Sequence, residues 1–184
     1  GEAVDIDLAN VVSHTINLDY GKNLLVFDVE TINDIQFTYY ARVLSLRNFP
    51  DIERSYKGRR DIEFLATMGY VEPRDDGLFY PEDTMTRLDI TKMMVTLKKL
   101  PLKELKYDPF LDVSKQDPNA MLIQAAVDSG IMFAYPDGTF KPNEPLSKAD
   151  AYKVLTNNDV IDGDLIEGEA LFDESPMKRG EFAL

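Results

Sequence analysis

The chain has 184 residues, of which 44% are apolar and 29% are charged, with a formal net charge of −13 and no cysteine. This composition is typical of a chain that buries a core, and it excludes disulfides, thiolate metal sites and cysteine nucleophiles. The negative charge argues against nucleic-acid binding, which depends on clustered Lys and Arg. No apolar run approaches the roughly 18 residues of a membrane span, and no leader pattern opens the chain, so we expect no membrane insertion.

The N-terminal part of the chain, before Phe49, differs in character from the rest. Residues 11–19 and 24–32 are rich in Val, Ile, Leu, Thr and Phe. With a turn-like interval at 20–23 between them, they predict a hairpin of two strands. Residues 35–46 carry apolar side chains at helical spacing and predict a helix. We therefore expect residues 1–48 to form a divergent N-terminal segment, either a cap or a degenerate copy of the repeat that follows.

From Phe49 to Leu155 the chain repeats itself, with Phe49 matching Phe110 and every later match keeping the same offset (110 − 49 = 61). The positions that match in the first copy are Phe49, Asp51, Ile52, Ile62, Gly69, Asp76, Gly77, Phe79, Pro81, Thr86, Arg87, Asp89 and Lys92. A fixed period indicates one supersecondary unit used more than once. We place the copies at 49–109 and 110–158, with a partial third copy at 159–184.

Each copy predicts two helices that are separated by a turn. In the second copy, residues 118–129 have the pattern of an amphipathic helix, and Gly130 suits its left-handed end. An Asp-Gly turn at 137–138 follows. A Thr or Ser three positions before an Asp then forms a capping-box pattern in both copies, which predicts second helices over 87–99 and 148–156.

Two shorter patterns resemble metal-binding motifs, but each lacks residues that the corresponding metal site needs. Asp28 and Glu30 resemble the first motif of proofreading-type exonucleases, but that chemistry needs further carboxylates and usually a His, and the single His14 precedes the motif. A stretch over 158–169 fits four positions of a calcium loop but has Val160 at the third ligand position. We expect a non-enzyme with no metal site and no cofactor.

The second copy resembles the S-layer homology domain. Three motifs carry the resemblance in order: Phe-Leu-Asp-Val at 110–113, Gly-Ile followed by Tyr-Pro-Asp-Gly-Thr-Phe over 130–140, and Leu-Ser-Lys-Ala-Asp at 146–150. The first copy and the partial third copy keep parts of the same motifs, so the resemblance covers roughly residues 49–184. It implies a mainly α fold, in which helix-loop-helix repeats lie around a pseudo-threefold axis with grooves between neighbours.

The resemblance also implies a function at the cell surface. Domains of this type attach extracellular proteins to the bacterial cell wall or S-layer by binding a secondary cell-wall polysaccharide, usually one with negatively charged pyruvylated sugars. The alternative is a degenerate scaffold or self-assembly module, which would associate with copies of itself and bind no glycan.

The candidate polysaccharide-binding residues follow from the motif positions. The basic residue of the third motif falls on Arg87, Lys148 and Arg179, and a guanidinium suits a carboxylate better than an ammonium does. No copy keeps that motif intact. The full predicted set is Arg87, Lys148, Arg179, Asp112, Asp51, Tyr135, Asp137, Gly138, Asp76 and Gly77. The aspartates have a competing interpretation as backbone caps, and Phe79 and Phe140 are expected in the core.

Overall fold

The computed structural model describes residues 15–30, 33–166 and 169–183. The chain divides into two compact units, residues 1–46 and 47–184. No helix in these described ranges has the length and apolar content that crossing a bilayer needs.

The first unit contains an antiparallel two-stranded sheet. Strand β1 (Gly21–Glu30) pairs with strand β2 (Gln36–Ser45), in a register that runs from Gly21 opposite Ser45 to Glu30 opposite Gln36. The predicted helix over 35–46 is therefore wrong, because that segment is a strand.

The predicted hairpin had the wrong partner and the wrong turn. Residues 24–30 of the predicted second strand do lie in β1, but the predicted turn at 20–23 is where β1 begins. Of the predicted first strand, residues 15–19 are not a strand, and residues 11–14 lie outside the described ranges. The sheet forms with the segment that follows β1, and residues 33–34 lie in a turn between the two strands.

The second unit contains the four α-helices of the described chain. They are α1 (Arg59–Thr67), α2 (Arg87–Lys98), α3 (Ala120–Asp128) and α4 (Lys148–Asn157). Three short 3₁₀ turns follow, at Gly163–Leu165, Ala170–Phe172 and Glu181–Ala183.

The prediction of a mainly α repeat array is wrong. The helices have only 9 to 12 residues each, and the N-terminal unit is a β-hairpin. Within the described residues of the segment 159–184 there are three 3₁₀ turns and no α-helix.

The two full copies nevertheless have equivalent helix ends. Gly69 and Gly130 follow the first helices with φ of 77° and 71°, the left-handed conformation that suits glycine. Thr86 forms a complete capping box with Asp89 at the start of α2. At the start of α4, the Ser147 hydroxyl accepts a hydrogen bond from the backbone N–H of Asp150. The reciprocal bond from the Ser147 backbone to the Asp150 carboxylate is not formed, so α4 has half of a capping box. The sequence prediction of these second helices is confirmed to within one residue.

Two apolar clusters form the core of this unit. The smaller one lies in the first copy and contains Phe49, Ile62 and Phe79. The larger one joins α2, α3 and α4 and includes Met94 and Phe140. Phe79 and Phe140 are buried as expected.

Three buried residues connect the copies through a closed ring of backbone hydrogen bonds. Met85 N–H donates to the carbonyl of Met177, Met177 to that of Leu146, and Leu146 to that of Met85, each at 2.8 Å. Each of the three stands two positions before a basic residue of the third motif. The ring therefore fixes where those basic side chains start, namely Arg87, Lys148 and Arg179.

Candidate functional site

Arg87 begins helix α2 of the first copy but bonds to the turn of the second. Its Nε donates to the Phe140 carbonyl at 3.0 Å and its Nη2 donates to the Phe133 carbonyl at 2.7 Å. The guanidinium carbon lies 4.8 Å from the ring centroids of both Tyr135 and Phe140. Its Nη1 has no partner among the described residues. Arg87 therefore joins two copies and keeps one donor available.

Arg179 makes the same contacts at another boundary. Its Nε donates to the Phe79 carbonyl at 2.9 Å and its Nη2 to the Glu72 carbonyl at 2.6 Å, and these acceptors are the first-copy equivalents of Phe140 and Phe133. Its Nη1, however, donates to Asp89 at 3.3 Å. Arg179 is 6% exposed. Burial lowers the pKa of its guanidinium, and the nearby charge of Asp89 opposes that shift.

Lys148, the third predicted basic residue, lies in a different environment. Its ammonium is 3.4 Å from a Glu181 carboxylate oxygen and 3.8 Å from one of Asp173. In the described chain it bonds to no turn carbonyl. The three basic residues thus have separate partners, and only the two arginines are equivalent.

Asp51 and Asp112 bind backbone amides where each Asp-Gly turn ends. Asp51 accepts hydrogen bonds from Phe79 N and Tyr80 N, the shortest at 3.1 and 2.6 Å. Asp112 accepts from the equivalent pair of the second copy at 2.8 and 2.7 Å. These contacts support the interpretation of both carboxylates as backbone caps.

The predicted turn residues hold the turns themselves. Gly77 and Gly138 have φ of 83° and 82°. Asp76 accepts from the Tyr80 hydroxyl at 2.6 Å, which lowers the Asp76 pKa. Asp137 accepts from the Thr139 hydroxyl at 2.6 Å, with the same effect on its pKa. The roles of these residues, and of Asp51 and Asp112, as polysaccharide ligands stay predictions.

Tyr135 is already engaged by charged groups. The ammonium of Lys141 lies 4.1 Å from its ring centroid, and the Arg87 guanidinium lies over the same ring. Its hydroxyl donates to Glu144, and this bond is the main cause of a raised Tyr135 pKa. The ring therefore orients the two cations beside it.

The surface beside Arg87 forms a groove that also contains residues missed by the sequence analysis. We call it the Arg87 groove; its lining includes Arg87, Phe133, Asp150, Lys153, Asn157 and Asn158. The Phe133 side chain is 72% exposed. The one sequence signal for Phe133 as a groove residue is its position next to the repeated turn pattern. An aromatic side chain is usually expected in a core, and the sequence analysis therefore missed it.

The surface beside Arg179 forms a second groove, which we call the Arg179 groove. Its lining includes Arg179, Glu72, Asp89, Lys92, Thr96 and Asn119. Lys92 and Glu72 form an ion pair at 2.8 Å. Because Arg179 is paired with Asp89, each of the four charged side chains in the lining of this groove has a partner of opposite charge in the same groove.

Comparison with known proteins identifies the repeated units. The S-layer homology domain matches residues 48–91 and 109–151. An amylopullulanase of Thermoanaerobacterium thermosulfurigenes is 32% identical over 135 residues, which is 68% of this chain and 7% of the relative. The S-layer protein sap of Bacillus anthracis is 27% identical over 109 residues, which is 59% of this chain and 13% of the relative.

A third relative, the exoglucanase XynX of Acetivibrio thermocellus, is 34% identical over 118 residues, or 59% of this chain and 10% of the relative. The chain thus spans between 7% and 13% of the length of these relatives. S-layer homology domains are non-catalytic modules that anchor surface proteins to the cell wall. The repeated motifs and these matches together show that the chain belongs to the S-layer homology domain proteins of the bacterial cell envelope.

Proposed function

We propose that this chain anchors a surface protein to the cell wall by binding a negatively charged secondary polysaccharide in the Arg87 groove. The module performs no catalytic step in this proposal. The ligand class is a sugar polymer with carboxylate substituents, such as pyruvylated sugars.

The observation that carries the proposal is the state of the Arg87 guanidinium. Two carbonyls and two aromatic rings hold it in place, while Nη1 has no partner in the described chain. A donor that is fixed before binding loses little conformational entropy when a ligand arrives. A charge-assisted hydrogen bond from such a donor to a carboxylate is among the stronger polar contacts in proteins.

The rest of the groove has the chemistry of a sugar site. Phe133 exposes an aromatic face, and Asn157 and Lys153 are exposed polar groups near it. Sugar rings present apolar C–H faces and several hydroxyls, so a site with one aromatic platform and a few polar groups suits them. The positive groups are local to the groove, which offsets the net charge of −13 for an anionic ligand.

Capture by fractionated cell walls tests the proposal. Walls that keep their secondary polysaccharide should retain the chain, and walls stripped of it should not. Phe133→Ala and Arg87→Ala should each reduce retention about tenfold, because each removes a contact worth on the order of 1–2 kcal/mol. Lys148→Ala is the matched control at the equivalent motif position and should leave retention unchanged.

The proposal is lost if stripped and intact walls retain the chain equally. Because Arg87 also joins two copies, its variant must be compared at equal concentrations of folded protein, measured by circular dichroism. Phe133→Ala carries the test on its own if Arg87→Ala does not fold.

A second candidate function is a scaffold without glycan binding. The specific observation in its favour is that both arginines bond to carbonyls of another copy, which is a structural task. In that case Arg87→Ala would lower the free energy of unfolding while Phe133→Ala left wall retention untouched. Sedimentation of the chain alone would then show self-association.

A further inference from the structure

The two arginine grooves can be compared position by position, because the copies keep one constant offset along the chain. Glu72 and Asp89 line the Arg179 groove, and Arg74 contacts Asp89. The corresponding positions of the second copy are Phe133 and Asp150, which line the Arg87 groove, and Tyr135, which contacts Arg87. The grooves therefore share one arginine geometry but differ in the groups around it.

In the Arg179 groove a carboxylate already lies on the arginine. Asp89 Oδ1 is 3.3 Å from Nη1 of Arg179 and 3.3 Å from Nη1 of Arg74. Nη1 is the donor that Arg87 leaves without a partner in the described chain. One carboxylate oxygen between two guanidinium groups is the arrangement that an anionic ligand would adopt.

The Asp89 carboxylate is also fixed in that position by its own helix. Its Oδ2 accepts hydrogen bonds from the Thr86 backbone N–H at 2.9 Å and from the Thr86 hydroxyl at 3.0 Å. The side chain is 16% exposed. The capping box thus orients one oxygen of the carboxylate and leaves the other for the two arginines.

The equivalent carboxylate in the Arg87 groove is arranged differently. Asp150 is 57% exposed, and its ion-pair partner is Lys153 at 3.3 Å. It contacts no guanidinium within the described ranges, and the position of Arg74 is taken by Tyr135. Since α4 has only half of the capping box, no reciprocal bond orients Asp150 toward Arg87.

We infer that Asp89 occupies the carboxylate position of the Arg179 groove, so that the chain itself fills this groove. Of the two arginine grooves in the described chain, the Arg87 groove alone is then open to a carboxylate-bearing sugar. The inference rests on the proposed function for the class of ligand. It assigns Asp89 and Arg74 the role of an intramolecular ligand pair, and it makes the removal of the Asp89 charge sufficient to create a second binding site.

Calorimetric titration with a pyruvylated monosaccharide measures the number of sites directly. The wild-type chain should bind one equivalent, and Asp89→Asn should bind two. Asparagine keeps a side-chain oxygen for the Thr86 cap but presents an amide in place of the charged oxygen, which leaves both guanidinium groups without an anion. Asp61→Asn is the control, because it removes one exposed carboxylate from α1 outside both grooves, and it should stay at one equivalent.

A reciprocal variant tests the same idea in the other groove without touching Asp89. Tyr135→Arg gives Asp150 the second guanidinium that Asp89 has, and it should weaken binding about tenfold, the loss expected for one charge-assisted contact. Adding Asp150→Asn to Tyr135→Arg should restore the affinity. This pair decides the question if Asp89→Asn does not fold.

Side-chain nitrogen signals of the two arginines separate this inference from the proposed function. In wild type the sugar should shift the Nε signal of Arg87 alone, and in Asp89→Asn it should shift the signals of both. A folded Asp89→Asn chain whose Arg179 signal does not move overturns the inference, as does a wild-type chain with two equivalents bound. If Arg179 responds in Asp89→Asn while Arg87 never responds, the proposed site at Arg87 is wrong, and the assignment of Asp89 as the internal carboxylate of the Arg179 groove stands.

Discussion

Gly180 shows how one residue that departs from a motif can be explained by packing. It follows Arg179 in the third motif, at the position where the second copy has the buried Ala149. A Cβ at position 180 would lie 2.2 Å from the Tyr56 hydroxyl oxygen and 2.9 Å from Pro81 Cβ. The glycine is therefore required by the close approach of the first copy to the partial third copy.

We expect Gly180→Ala to lower the free energy of unfolding by about 1–3 kcal/mol, the usual cost of an extra methyl group in a packed site. Urea denaturation measures the change. Gly163→Ala is the control, because its nearest neighbour, a Thr156 methyl, is at an ordinary 3.8 Å. Adding Tyr56→Phe should recover part of the loss. A cost no larger than that of the control would contradict this account.

At the same residue scale, the sequence predicted which positions are basic but not what they bind. Arg87 and Arg179 bond to backbone carbonyls that lie 46 to 107 residues away in the chain. Such partners have no side-chain signal, since any residue carries a carbonyl. The occupation of the Arg179 groove could not be predicted either, because it depends on Arg74 and Asp89 meeting in space.

At the scale of elements, helix starts were predictable and the N-terminal strands were not. Capping residues act within four positions of each other, so the pattern alone located α2 and α4. Residues 35–46 fit both a helical and an alternating pattern: Phe37, Tyr40, Ala41 and Leu44 have helical spacing, while Phe37, Tyr39, Ala41 and Val43 share one face of β2. Pairing with β1 decides between them, and that contact is tertiary.

The two capped helices predict different costs for removing their caps. Thr86→Ala removes a hydroxyl that both accepts from Asp89 N and donates to the Asp89 carboxylate, and it should cost about 1–2 kcal/mol. Ser147→Ala removes one hydrogen bond at 3.1 Å and should cost about 0.5–1 kcal/mol. Thermal and urea unfolding of both variants should give this order, and the reverse order would show that the complete box adds nothing.

At the scale of the whole molecule, the incorrect fold class has a physical cause. The repeat pattern correctly indicated two similar units, and the family match covers both. The closed ring of backbone hydrogen bonds needs a third member besides Met85 and Leu146. Met177 of the partial copy is that member, and it lies in a segment of short turns. The ring of backbone bonds therefore preserves the boundaries between copies without a full set of helices.

The pH dependence of stability is also a property of the whole molecule, because similar hydrogen bonds recur in several copies. Side-chain hydrogen bonds lower the pKa values of Asp76, Asp137 and Asp173 below 3.8 and of Glu82 below 4.5. A carboxyl group whose pKa is lowered in the fold stabilises the folded state at a pH above the pKa that the group has in the unfolded chain. This stabilisation disappears as the pH falls through the lowered pKa of the folded state. Hydrogen bonds to carboxylates are the main cause of raised pKa values at Tyr80 and Tyr135, whose ordinary value is 10.0. That contribution is complete below pH 10.0 and disappears as the pH rises through the raised pKa values.

We therefore expect a stability plateau between the ordinary carboxyl value of 4.5 and the ordinary tyrosine value of 10.0, with a decline on both sides. Urea midpoints measured across this range test it. Tyr80→Phe should make both declines shallower, because one hydrogen bond lowers the pKa of Asp76 and raises that of Tyr80. Tyr20→Phe is the control, because Tyr20 is exposed and lies in the other unit. It should change neither the acid limb nor the alkaline limb of the curve of stability against pH. If Tyr80→Phe leaves the acid limb unchanged while the alkaline limb flattens, the Asp76 carboxylate does not depend on this bond and the shared origin of the two limbs is wrong.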